Sequence, residues 1–152
     1  MTGRLSDDLI GSWELLSRED HTATGERRID AALGADPIAL LIYDGNGHFA
    51  AQFMRRHRNA EAVAETDGGP TVTGPNNSRA RGGYDAYFGT YTTDDESGTV
   101  TQTLEGALSP ENVGMVVTRV MAIVGDELII RLGTAADDGE PVTRTLTWRR
   151  VG

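Results

Sequence analysis

"IALLIYDGNGHFAAQFMRR", residues 38–56, is two apolar runs folded about Asp44-Gly45-Asn46-Gly47. Asp-Gly and Asn-Gly supply residues that accept positive φ, as a tight hairpin turn requires. The unit reads as a β-hairpin, and the rest of the chain repeats its grammar: short runs punctuated by Gly, Asp and Asn. Upstream, "SWELLSRE" (12–19) reads as a first strand. Downstream come "GTYTTD", "GTVTQTLEG", "GMVVTRVMAIVG", "DELIIRLGT" and "PVTRTLTWRRV", with turns at 94–98, 125–127 and 135–140. That makes about eight strands joined as an antiparallel meander. An open meander leaves its edges bare, and closing it into a barrel removes them. The expected fold is all-β: an eight-stranded antiparallel up-and-down barrel, wide enough to hold one small ligand.

Two segments break the pattern. "NAEAVAETDGGPTVTGPNN" (59–77) is too polar for core and too long for a hairpin turn, so a flexible, lid-like loop is expected. "SRARGGYDAYF" (78–88) reads as one short helix, weakened by Gly82 and Gly83.

The length of 152 residues predicts a single domain over 1–152, large enough to bury a core without staples. The net charge of −9 argues against general binding to nucleic acid or anionic membrane, which needs clustered cations. "RRHR", Arg55 to Arg58, is a local exception. It reads as a solvated strand end, with a local anion site as the alternative. Absence of cysteine excludes disulfides and thiol catalysis. No apolar run is long enough to span a bilayer and no apolar h-region opens the chain, so a cytoplasmic protein is expected. There is no P-loop, dinucleotide glycine fingerprint, Gly-x-Ser-x-Gly or His-Glu-x-x-His. His21, His48 and His57 lack metal-ligand spacing. Neither a metal nor a cofactor is expected.

Gly11-Ser12-Trp13, at the head of the first strand, resembles the entry signature of the lipocalin and fatty-acid-binding (calycin) barrels. The resemblance implies that Trp13 closes the barrel bottom with an Arg of the last strand across it. Arg144, Arg149 and Arg150 are the candidates. An indole buries a large apolar area, and a guanidinium stacks on its face. More widely, the chain is similar to the bacterial and fungal lipocalin-like domain family of small stand-alone barrels. "LIGSWELLS", "LLIYDGNGHFAAQFMR", "YFGTY", "TVTQTLEGALSPENVG", "GDELIIR" and "LTWRR" carry that likeness in order. Some members accompany natural-product biosynthesis genes. Family members often place His-His where this chain has Gln102-Thr103.

Strand parity nominates the site. In 113–123 the odd positions are Val113, Met115, Val117, Arg119, Met121 and Ile123. Arg119 is the one polar member of this expected inner face, and an Arg among apolar side chains is costly unless paired. It either binds a ligand carboxylate, enolate or carbonyl, or pairs with an internal carboxylate such as Glu105. Parity places Gln102 inside and Glu105 outside. A bulge before Gly106 would reverse Glu105 and make it a general acid or base. Either His48, Gln52 and Met54 or Phe49, Ala51 and Phe53 face the cavity. Tyr84, Tyr87, Phe88 and Tyr91 close the mouth or pack the short helix, and a Tyr hydroxyl beside Arg119 would stabilise an oxyanion. Candidate catalytic residues are Arg119, Glu105 and Tyr87. Candidate ligand-binding residues are Trp13, His48, Gln52, Phe53 and Tyr84, together with Tyr91, Gln102, Met115 and Met121. The expected partner is a small, largely apolar metabolite, with no nucleic acid or membrane, and a homodimer is compatible. The expected function is that of a cofactor-free isomerase, cyclase or lyase. A passive small-molecule binder or carrier is the alternative, and a solid barrel used for protein contacts is a third reading.

Overall fold

The structure, a computed structural model, describes residues 4–58 and 80–152. A short helix α1 (Leu5–Asp8) leads into the long strand β1 (Gly11–His21). A two-residue strand β2 (Arg27–Arg28) follows. The meander continues through β3 (Ile38–Tyr43), β4 (His48–Met54), β5 (Tyr84–Asp94), β6 (Thr99–Ala107), β7 (Val116–Val124), β8 (Glu127–Ala135) and β9 (Pro141–Arg150). Each of β3 to β8 pairs antiparallel with its successor. β1 pairs with β3 through Gly11–Glu14 and with β9 from Trp13↔Arg150 to His21↔Thr143. That second pairing closes eight strands into a barrel, with β2 added at the far end of β1. The expected meander is therefore observed, with turns at 44–47, 95–98, 125–126 and 136–140. Asp44 builds one of them by accepting the Asn46 and His48 amides at 2.8 and 2.9 Å.

Alternation sorts the side chains. Leu41 and Tyr43, then Phe49, Ala51 and Phe53, point inward from the first hairpin. Val117, Arg119 and Met121 do so from β7, and Val142, Arg144, Leu146 and Trp148 from β9. Two bulges interrupt this count. In β1 the register with β9 slips between Leu15 and Ser17, so Leu16 is exposed while Arg18 and Asp20 turn inward. In β6, Leu104 pairs with Gly89 and Gly106 with Phe88, which leaves Glu105 as the extra residue. Gly89 permits the second bulge: a Cβ there would overlap the Thr103 carbonyl oxygen. Gly106 lies under the outward-facing Phe88 ring, where a Cβ would again collide.

One end of the barrel is sealed by α1, Leu9 and Trp13, the last two with no exposed surface. The indole N–H of Trp13 donates to the Leu9 carbonyl at 3.0 Å. The Arg150 guanidinium lies over the indole at 4.3 Å from its centroid. It also donates to the carbonyls of Ile10, at 2.9 Å, and Asp8. Gly11 has φ +141°, and a Cβ on it would strike the Arg150 guanidinium and the Gly152 carbonyl. The glycine two residues before the tryptophan is thus the gap through which the arginine reaches the ring.

The opposite end is spanned by residues 29–36. Leu33 is buried there, Arg18 pairs with Asp30 at 3.1 Å, the Ala31 N–H donates to Asp137 at 2.9 Å, and Arg55 donates to the Ala31 carbonyl at 2.5 Å. Arg56 pairs with Asp36 at 3.0 Å, and Arg58 donates to the Gly82 carbonyl at 2.7 Å. The "RRHR" guanidiniums therefore fasten loops at this rim.

One expectation is corrected. No helix runs through the described part of 78–88. Gly82 and Gly83 have φ +58° and +76°, two successive left-handed residues that a helix cannot hold. Arg81 and Tyr84 exchange backbone hydrogen bonds across them at 2.8 and 2.9 Å, and β5 begins at Tyr84. The short helix is α1 instead. The lid-like reading of 59–77 lies outside the described residues.

Three outcomes are expected. Gly89→Ala should cost about 3 kcal/mol or more, because backbone on both strands must move, whereas Gly133→Ala, with open space around it, should stay within about 1 kcal/mol of wild type in urea melts. Arg150→Met should cost about 2 kcal/mol and speed amide exchange in Leu5–Leu9, which hydrogen exchange would read. Burial alone would raise the Asp30 carboxyl, but the Arg18 charge and the Ala32 amide outweigh it and hold the group below its usual range. Its contribution is complete above the unfolded value of about 3.9 and disappears as pH falls through the lower folded value. Acid titration of stability should therefore show a smaller loss in Asp30→Asn than in wild type across that window.

Candidate functional site

The barrel interior is apolar on one wall and charged on the other. The first wall is a chain of ring contacts. Tyr43 meets Tyr91 edge-on at 4.8 Å and Phe49 at 6.1 Å, Phe49 meets Tyr87 at 6.0 Å, and Phe53 meets Tyr87 at 6.4 Å and Trp148 at 5.7 Å. These rings come from β3, β4, β5 and β9 because inward positions repeat every second residue. Offset and edge-on contacts suit the ring quadrupoles. The Tyr91 hydroxyl is spent on the Asp44 carbonyl at 2.5 Å, so that ring is fixed at the hairpin turn.

The second wall holds three buried guanidiniums, Arg18, Arg119 and Arg144. Arg144 forks onto Asp20 through Nε and Nη2 at 2.7 and 2.8 Å. Arg18 reaches Asp30. Arg119 forms no hydrogen bond or ion pair with a described residue, and its Nη1 is fully enclosed. The Nη1 of Arg144 and the Nε1 of Trp148 are likewise buried without a hydrogen-bond partner among the described residues. Burial pushes the Arg119 guanidinium below its ordinary value, and the like charge of Arg144 adds to that. It remains protonated at neutral pH, as a guanidinium does. Between the two walls, Gln102 donates to the Tyr43 oxygen at 2.5 Å. Tyr43 accepts there, so its own proton can turn toward the interior. Burial holds that hydroxyl firmly in its neutral form.

What this arrangement offers is donors. Arg119 and Tyr43 present N–H and O–H groups inside an apolar enclosure, where hydrogen bonds and charges are stronger than in water. They can hold and polarise an oxygen. Among the described residues no cluster of three or more His, Asp or Glu could hold a metal ion, and no helix is long and apolar enough to cross a membrane.

The residues singled out from the sequence divide into three groups. Arg119, Gln102 and Met121 are buried on the inner face, with Tyr87, Tyr91 and Met115 half-buried beside them. Phe53 joins them, which settles the β4 alternative in favour of the phenylalanine face. Trp13 is inside the sealed floor, under Leu9 and Arg150. His48, Gln52, Tyr84 and Glu105 are on the outside and are corrected here. His48 and Gln52 are exposed because the larger phenylalanines take the inner face of β4. Tyr84 precedes the inward Asp85 and lies against Arg58, whose guanidinium is 5.7 Å from its ring. Glu105 does sit at a bulge, but as the extra residue its own side chain stays exposed, and the phase changes only beyond it, at Gly106. It cannot serve as a base to the interior, nor as the partner of Arg119. Val113 is also exposed, lying ahead of β7. Gln52 and Tyr84 instead line an apolar groove of about 430 Å³ on the outer wall, with Ile38, Leu40, Met54 and Val151.

Sequence reasoning missed Tyr43, Arg18, Asp20 and the role of Arg144. Tyr43 was legible as the last alternating residue before the Asp-Gly turn. Arg144 was legible from the Val-Thr-Arg-Thr-Leu-Thr-Trp alternation. Arg18 and Asp20 were hidden by the bulge, since plain parity from Trp13 points both outward.

The lipocalin-like domain family matches residues 10–151, which spans the whole barrel from the floor to the last strand. No curated protein matches the chain. A closed eight-stranded meander floored by Gly-x-Trp accords with that match: the chain belongs to the lipocalin-like domain family.

Proposed function

We propose that the protein binds a small, largely apolar metabolite inside the barrel, with an oxygen of that molecule held by Arg119 and Tyr43. The observation that carries this reading is Arg119, buried with its Nη1 unpaired among the described residues. A buried guanidinium without an acceptor costs several kcal/mol, and a fold that only needed a packed core would place an apolar residue there. Ligand sites in proteins combine apolar walls with a few convergent polar groups, and the ring wall facing these donors has that composition. The metabolite class follows from the same features: a ring-bearing or folded hydrocarbon body with at least one oxygen acceptor.

Binding is the better-supported function, because the base candidates drawn from the sequence do not face the donors. Glu105 is outside and no imidazole faces Arg119. A cofactor-free isomerase, cyclase or lyase is the second reading, favoured by the two electrophilic donors. It would rest on polarisation of a carbonyl and a folded conformer of the substrate.

Native mass spectrometry tests the reading. The purified protein should carry a small molecule, and Arg119→Met and Tyr43→Phe should each reduce its occupancy at least about ten-fold, the equivalent of losing one good polar contact. Unchanged occupancy in both variants would move the site elsewhere. Conversion of the released molecule on incubation with wild type, absent in Arg119→Met, would favour the catalytic reading over the carrier.

A further inference from the structure

The outer wall of the barrel is not uniformly polar. Outward positions of β3, β4 and β5 fall into register as three rows of three: Ile38, Met54 and Tyr84; Leu40, Gln52 and Ala86; Ile42, Ala50 and Phe88. No member of this grid carries a charge, in a chain whose net charge is −9. Ile38, Leu40 and Ile42 are 38, 40 and 39% exposed, and Phe88 is 57% exposed. Charges begin at the margin, where Glu14 pairs with Arg149 at 3.4 Å and Arg58 lies over the Tyr84 ring. The outer groove lined by Gln52 and Tyr84 runs along this face. The exposed valines of β7 form only a stripe one strand wide. Val120 has Thr99 on one side and Arg131 on the other, and Val124 has Glu127.

Two properties of the β3–β5 face point to what covers it. The first is size. With Val151, its exposed apolar side chains offer roughly 400–500 Å², the scale of the largest patch on a monomer and the apolar share of a standard interface of roughly 800 Å² per partner. The second is its centre. A two-fold dimer packs one surface on itself, so the residue in the middle meets its own copy. An acid or a base at that point would set like charges together. Gln52 carries donor and acceptor in one amide and is complementary to itself. An acidic chain resists self-association, and an uncharged face is where two copies approach with least repulsion.

We propose that the β3–β5 outer face pairs with the same face of a second copy, about a two-fold axis through Gln52. The two sheets stack face to face, as packed sheets do at about 10 Å. The two amides exchange hydrogen bonds at the axis, and Phe88 of each copy lies against the groove of the other. None of these residues belongs to the interior site.

Sedimentation equilibrium on the full chain tests the pairing. Wild type should be a dimer with a dissociation constant of about 10 µM or tighter. Gln52→Glu and Gln52→Lys should each raise that constant at least about ten-fold with unchanged circular dichroism. An equimolar mixture of the two should recover a mixed dimer, because position 52 then faces its opposite charge. Phe88→Ser, which removes bulk and adds no charge, should weaken the dimer likewise and covers the case of a charged variant that does not fold. Val120→Glu, an equal change on the β7 stripe, should leave the dimer intact. A wild type that is monomeric at about 100 µM would overturn the proposal, and its sedimentation with phosphatidylcholine vesicles would give the face to a lipid surface instead. Dimers that persist in the Gln52 and Phe88 variants, or that Val120→Glu alone disrupts, would put the contact elsewhere and refute it. A mixture of the two charged variants that stays monomeric would show that position 52 does not face itself, and would refute the two-fold arrangement.

Discussion

The guanidinium of Arg150 lying on the indole of Trp13 is the contact on which the barrel depends. It joins the first strand to the last at the position where the sheet must close, and it does so with two of the largest side chains available. Trp13 is wholly enclosed and Arg150 ties down the carbonyls of Asp8 and Ile10, so helix α1 is fastened by the same arginine that caps the ring. The contact is possible only because Gly11 has no side chain and adopts a φ that other residues avoid. Floor, helix and closure are thus one construction, placed at the end where the 44–47 and 95–98 turns lie.

With one end sealed in this way, the polar residues inside acquire their meaning from burial. A charge on an open sheet is solvated and inexpensive. The same charge on the inner face of a closed barrel must find a partner. Arg144 and Arg18 find theirs in Asp20 and Asp30, and the second of these pairs also holds residues 29–36 across the opposite rim. Arg119 differs from them by having hydroxyls and a like charge for neighbours. Three arginines of similar burial therefore differ: among the described residues, two have a carboxylate partner and the third has none.

Much of this architecture was legible in the chain. Apolar alternation and Asp-Gly or Asn-Gly turns located the strands of the meander, and parity within 113–123 put Arg119 and Met121 inside. Gln102 was assigned inward by the same rule. Parity failed where the count of residues was broken or where both faces carried comparable side chains. Arg18 and Asp20 lie beyond a bulge that no local composition announces. β4 offers His48 and Gln52 on one face and phenylalanines on the other, and only the closed sheet decides which face is dry. The helix expected over 78–88 failed for a different reason: Gly82 and Gly83 were treated as weak helix formers, when both are used for left-handed geometry. Pairing partners such as Asp20 with Arg144 are far apart in sequence and depend on the β1–β9 register, which a single sequence does not display.

The bulge between Leu15 and Ser17 makes the lining of this barrel a matter of chain length as well as of composition. Two consecutive residues, Leu16 and Ser17, fall on the outside, and the phase of everything after them is set by that one addition. A further single-residue insertion between Leu16 and Arg18 would rotate Arg18 and Asp20 into solvent and bring Ser17, Glu19 and His21 inward, without altering any of those side chains. Related barrels that differ by one codon in this strand would therefore present different interiors to their guests while keeping the same letters, and an alignment that places its gap one position away would match residues from opposite sides of the wall.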